Sequence, residues 1–80
     1  MGENKFTLIS ADDWEGLYYD GMLIFEGHEL QKKELVDFMN AAGTLNVEFK
    51  FLNYLGLDWL HDRGSLPDCM TEIPIQFIEQ

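Results

Sequence analysis

Trp14-Glu15-Gly16-Leu17-Tyr18-Tyr19-Asp20-Gly21-Met22-Leu23-Ile24-Phe25-Glu26 is the stretch on which the fold turns. Two runs rich in aromatic and branched residues flank Asp20-Gly21, a pair suited to a type I′ hairpin turn because both central positions need positive φ. With those two residues as the loop, Tyr19 is expected opposite Met22, Tyr18 opposite Leu23, Leu17 opposite Ile24, Gly16 opposite Phe25 and Glu15 opposite Glu26. Alternation then places Leu17, Tyr19, Met22 and Ile24 on one face with the two glutamates, and Trp14, Tyr18, Leu23 and Phe25 on the other. Both faces are largely apolar, so both need covering, and because two helices in 80 residues are too few for that, a homo-oligomer, at least a dimer, is expected.

Working outward, Phe6 to Ile9 is a short apolar patch that suits a strand, closed by a loop of Ser10, Ala11, Asp12 and Asp13. After the hairpin a helix is expected from His28 or Glu29 to about Ala42, its stripe formed by Leu30, Leu35, Phe38, Met39 and Ala42 and its end marked by Gly43. Leu45 to Phe51 alternates strictly, which predicts a strand with Leu45, Val47, Phe49 and Phe51 on its dry side. Asn53 to Arg63 reads as a shorter helix with Leu52, Leu55 and Trp59 on one stripe and Gly64 as its stop, although Gly56 weakens it by about 1 kcal/mol. Ile73 to Ile78 suits an edge strand, since Pro74 has no ladder donor. The fold class that follows is α+β: one domain over 1–80, with a small, mostly antiparallel sheet of three to four strands, a β-hairpin, one long helix and one short one.

Eighty residues support one core and no more. The apolar share of 46%, with 14% aromatic residues, is enough to build that core and argues against disorder. Fifteen acidic against 5 basic residues leave a net charge of -10, which disfavours direct contact with nucleic-acid phosphates or anionic membrane surfaces and favours a protein partner with a basic surface. Cys69 is the one cysteine, so no internal disulfide is available, which fits a cytoplasmic setting. Met1 to Lys5 are polar and lead into no long apolar stretch, so neither a signal peptide nor a membrane span is expected.

Chemistry-bearing clusters are sparse. Asp58, His61 and Asp62 stand at i, i+3 and i+4 and share a helix face, but a fourth ligand at fixed spacing is missing and a solvated helix face has the same pattern, so no metal is expected. Cys69 has no neighbouring base or oxyanion loop that would pair it with His28 or His61. Gly16, Gly21 and Gly27 are not followed by the lysine and hydroxyl of a phosphate loop. No cofactor and no catalytic set is therefore expected.

The acids, by contrast, are unevenly placed: Asp12, Asp13, Glu15, Asp20, Glu26 and Glu29 fall between Lys5 and Lys32, where no Lys or Arg intervenes. Opposed Glu15 and Glu26 destabilise a hairpin unless a cation or basic partner lies across them. Trp14 and Tyr19 stand among these acids as candidate interface anchors, against the plainer reading that both rings are core. The expected partner-binding set is thus Asp12, Asp13, Trp14, Glu15, Tyr19, Asp20 and Glu26.

Tyr19 to His28 and Asp58 to Pro67 resemble stretches of small uncharacterised proteins encoded by bacteriophages and prophages. What the resemblance implies is a setting: short phage accessory proteins commonly bind and redirect or block a host protein. The function expected is a non-catalytic inhibitor or modulator that engages a basic surface on a nucleic-acid-processing or defence protein. The rivals are a self-assembling structural protein, in which the hairpin's second apolar face closes a homo-oligomer, and a small-molecule binder.

Overall fold

The computed structural model describes residues 4–79, and within them the four strands form one mixed sheet in the order β3-β2-β1-β4. The strands are β1 (Phe6–Ser10), β2 (Glu15–Tyr19), β3 (Met22–Gly27) and β4 (Val47–Phe51), and the helices are α1 (Lys32–Ala42) and α2 (Tyr54–Arg63). The expected sheet is corrected in one pairing: β1 runs antiparallel to β2 but parallel to β4, so the sheet is not wholly antiparallel. The parallel neighbour is reached through α1, the kind of long crossover that such a pairing needs. The reading of Met1 to Lys5 as no secretion signal falls mostly outside the described residues. No described helix is long and apolar enough to cross a membrane.

The turn forms as its residues dictate, with Asp20 at φ 51° and Gly21 at φ 87°. Tyr19 opposite Met22 and Tyr18 opposite Leu23 also match the expected register. Beyond them it slips by one at a bulge: Leu17 faces Phe25, Gly16 faces Glu26 and Glu15 faces Gly27. One extra residue in β3 reverses the faces of everything after it. Phe25 therefore joins Leu17 and not Tyr18, and Glu15 is not opposed to Glu26.

Two apolar clusters lie on the two faces of the sheet. On one, α1 sets Leu35, Phe38, Met39 and Ala42 over Phe6, Leu8, Leu17 and Phe25. On the other, Ile9 and Tyr18 are covered by Leu60 of α2 and by Leu66 and Ile73 of the chain that follows. Helix α2 and the C-terminal segment thus cover the hairpin face that was expected to call for a second subunit.

The helices differ from expectation at their ends and in length. They are nearly equal, at 11 and 10 residues, not one long and one short. Helix α1 starts at Lys32, four residues after His28, because Leu30 is first buried under the sheet and its N–H is bound by Glu15. Gly43 and Gly64 close the two helices in the left-handed conformation as expected. The buried stripe of α2 is Gly56 and Leu60, with Leu57 packed beside them, whereas Leu55 is exposed. Ile73 to Ile78 is not a strand: Ile75–Phe77 is a single 3-10 turn, and only Ile78 makes an isolated bridge, to Leu52.

Candidate functional site

The loop between β1 and β2 and the outgoing end of β3 bring Asp12, Asp13, Trp14 and His28 together at one end of the sheet. Two shallow clefts share Asp13, Trp14 and His28 as walls. One, of about 330 Å³, is completed by Leu60, His61 and Gly64. The other, of about 390 Å³, is completed by Ala11, Asp12, Glu15 and Glu29.

Trp14 is the fixed point between them. Its body packs against the cluster under α2, and its indole N–H donates to the Glu26 carboxylate at 2.9 Å. The His28 ring meets it edge-on at 5.1 Å, and Nδ1 of that ring lies 3.3 Å from the Asp13 carbonyl oxygen. With its one polar group satisfied, the indole has only its π face left to offer, and the face of an aromatic ring attracts cations. Asp12, Asp13 and Glu29 are exposed around it.

The expected partner-binding residues do not form one surface. Asp12, Asp13 and Trp14 line the clefts, while Tyr19 and Asp20 sit at the opposite end of β2, roughly 16 Å away at about 3.3 Å per residue. There they hold the incoming chain: the Tyr19 hydroxyl donates to the Asn4 side-chain oxygen, and Asp20 Oδ1 accepts from the Lys5 N–H at 2.9 Å. The Tyr19 ring also packs on Phe6 at 4.8 Å.

Glu15 and Glu26, the pair expected to face a cation or a partner, are turned inward on opposite sides of the sheet. Glu15 accepts from the Ser10 hydroxyl at 3.0 Å and from the Leu30 N–H at 2.8 Å. Glu26 accepts from Trp14 and from the Leu66 N–H. Both carboxylates are acceptors for donors of their own chain, which corrects the idea that they need a cation across them. Below Glu26, the Tyr18 hydroxyl donates to the Pro67 carbonyl at 2.7 Å, and burial, reinforced by the Glu26 charge, pushes its pKa well above the ordinary tyrosine value.

His28, His61 and Glu29 lie outside the partner-binding set expected from sequence, yet all three line the clefts. His28 was within reach of sequence reasoning, since Gly27 ends β3 close to Glu15 and the next residue falls beside Trp14. His61 carries no such signal, because it arrives on α2. Asp58 and Asp62 are exposed on that helix, and no group of three or more His, Cys, Asp or Glu placed to hold a metal ion occurs among the described residues. Cys69 is a free thiol whose sulfur lies 3.7 Å from that of Met22. No family model, no curated protein and no solved structure matches the chain.

Proposed function

We propose that the protein is a non-catalytic binding protein that receives a lysine or arginine side chain of another protein in the acidic cleft of Asp12, Asp13 and Trp14. The observation that carries this reading is the pairing of two exposed carboxylates with an indole whose N–H is already bound by Glu26. Such a cleft offers charge and a π face together, and the indole is held still, so little side-chain freedom is lost on binding.

A net charge of -10 draws basic surfaces toward the molecule from a distance, and the cleft then selects among them. Host proteins that handle nucleic acid carry such surfaces, and the resemblance to small phage proteins makes one of them, in the cytoplasm, the partner we favour. The role is that of an inhibitor or modulator occupying the surface.

The test compares two double variants in retention of a host protein from lysate, at low and at high salt. Asp12→Asn with Asp13→Asn is expected to abolish retention, whereas Asp37→Asn with Glu72→Gln, equal in charge removed but placed elsewhere, changes it little. Equal loss from both pairs would reduce the effect to net charge. No loss from either would end the acidic-cleft reading.

A further inference from the structure

His28 stands in the wall of the acidic cleft, beside the place an incoming cation would take. Its ring centre is 5.1 Å from that of Trp14, with the two planes at 80°, and its Nδ1 lies 3.3 Å from the Asp13 carbonyl oxygen. The ring lines both clefts and is exposed, so protons from solvent reach it. The chain holds it from both sides in sequence: Gly27 pairs with Glu15 at the end of β3, and Leu30 is buried with its N–H bound by the Glu15 carboxylate.

Neutral imidazole has one N–H, and only the tautomer that carries it on Nδ1 can donate to the Asp13 carbonyl. A protonated ring carries both, so the donation no longer depends on the tautomer and becomes charge-assisted. The same proton makes the ring a cation, and 5.1 Å is inside the roughly 6 Å over which an aromatic face attracts one.

The charges around the ring come from every element that meets here. Asp12 and Asp13 face the clefts from the β1–β2 loop, Glu15 from β2, Glu29 from the chain leading to α1 and His61 from α2, while Glu26 of β3 acts through the Trp14 indole. All but His61 are acids, so a positive charge is favoured at this place whether it arrives on the ring or on a partner. The two arrivals exclude each other, because a second cation beside Trp14 meets a like charge at close range.

We infer that His28 gates the acidic cleft: with the ring neutral the cleft accepts a basic side chain, and with the ring protonated the chain's own imidazolium takes the place at Trp14 and repels it. The inference rests on the proposed function, since it names the condition under which that cleft is open. Proton and cation compete, so binding is strongest above the range in which imidazole titrates and is lost as pH falls through it. Imidazole is the side chain that ordinarily titrates between about pH 5 and 8, whereas carboxylates ordinarily titrate lower and guanidinium far higher.

The experiment is titration calorimetry with an acetylated, amidated peptide of alternating glycine and arginine, whose charge is constant between about pH 5.5 and about pH 8. At fixed ionic strength, Kd is expected to be about fivefold or more weaker at the lower pH, the effect of one like charge at close range in water. In His28→Asn the ratio of the two Kd values should fall to about one, and in His61→Gln it should fall by less. Calorimetry of the parent in two buffers of different ionisation enthalpy should also show protons released on binding near about pH 6.5. Equal Kd at both pH values, or binding without proton release, would overturn the gate and leave the cleft reading standing. A ratio that survives in His28→Asn, or that His61→Gln reduces more, would overturn it too. No binding of the peptide at about pH 8 would remove the cleft reading itself, and the gate with it.

Discussion

Glu26 joins two distant parts of the chain through one carboxylate oxygen, which accepts from the Trp14 indole and from the Leu66 N–H, 40 residues further along. Both donors sit at the edge of the buried cluster beneath α2, where an unsatisfied N–H is costly. Glu26→Ala is therefore expected to destabilise the fold by about 3 kcal/mol, the loss of two charge-assisted hydrogen bonds partly offset by water. Urea denaturation measures it, and Glu26→Gln should lose less because one acceptor oxygen survives. Directly opposed carboxylates would predict the other sign, since neutralising Glu15 and Glu26 would then relieve repulsion and leave the fold intact or slightly firmer. An unchanged midpoint for Glu26→Ala would restore that reading. The turn at Asp20-Gly21 and the helix stops at Gly43 and Gly64 were legible because each is decided by a residue's own φ preference. The role of Glu26 was not, because its partner at Leu66 is fixed by tertiary contact alone.

Elements show the same division between local and distant causes. The two strands of the hairpin were legible from composition, and the bulge within them was not, although the sequence held a clue: a register that sets Glu15 against Glu26 is one a sequence has reason to avoid. The inserted residue in β3 removes that clash and lets Phe25 join the cluster under α1. Gly56 is a second case. Read locally it weakens α2, but in the fold a Cβ there would lie 2.8 Å from the Phe77 carbonyl oxygen and 3.1 Å from the Phe77 Cβ, so the glycine lets the C-terminal segment lie against the helix. Gly56→Ala sets a helix-propensity gain of about 1 kcal/mol against overpacking that typically costs about 1–3 kcal/mol. Because the closest neighbour is backbone, we expect a net loss of about 1–2 kcal/mol by chemical denaturation. A variant more stable than the parent would mean that the Phe77 turn yields easily. The same contact explains why Ile73 to Ile78 is not a strand: the segment is shaped to fit α2 and the end of β4, not to extend the sheet.

At the scale of the whole molecule, excess negative charge is held on a body of 34 × 26 × 21 Å. Fifteen acids and 5 bases give far more repulsive than attractive pairs. Among the described residues, the ion pairs within 4 Å are those of Lys5 and Lys50 with Glu48, and exposed pairs of that kind contribute little. Unfolding lets the charges move apart, so the net long-range field opposes the folded state. Salt should therefore stabilise the protein. The Debye length falls from about 30 Å at 0.01 M to about 10 Å at 0.1 M, that is, from about the size of the molecule to well below it. Most of the gain is thus expected in that range. For a chain of this length a gain of about 1 kcal/mol appears as a rise of roughly 4–8 °C in Tm, followed by a much shallower slope in chloride up to about 0.5 M. A Tm that falls as chloride rises from about 0.01 to 0.1 M would show that attractive pairs dominate, and the charge would then have to be organised on the surface more favourably than the positions of these residues indicate.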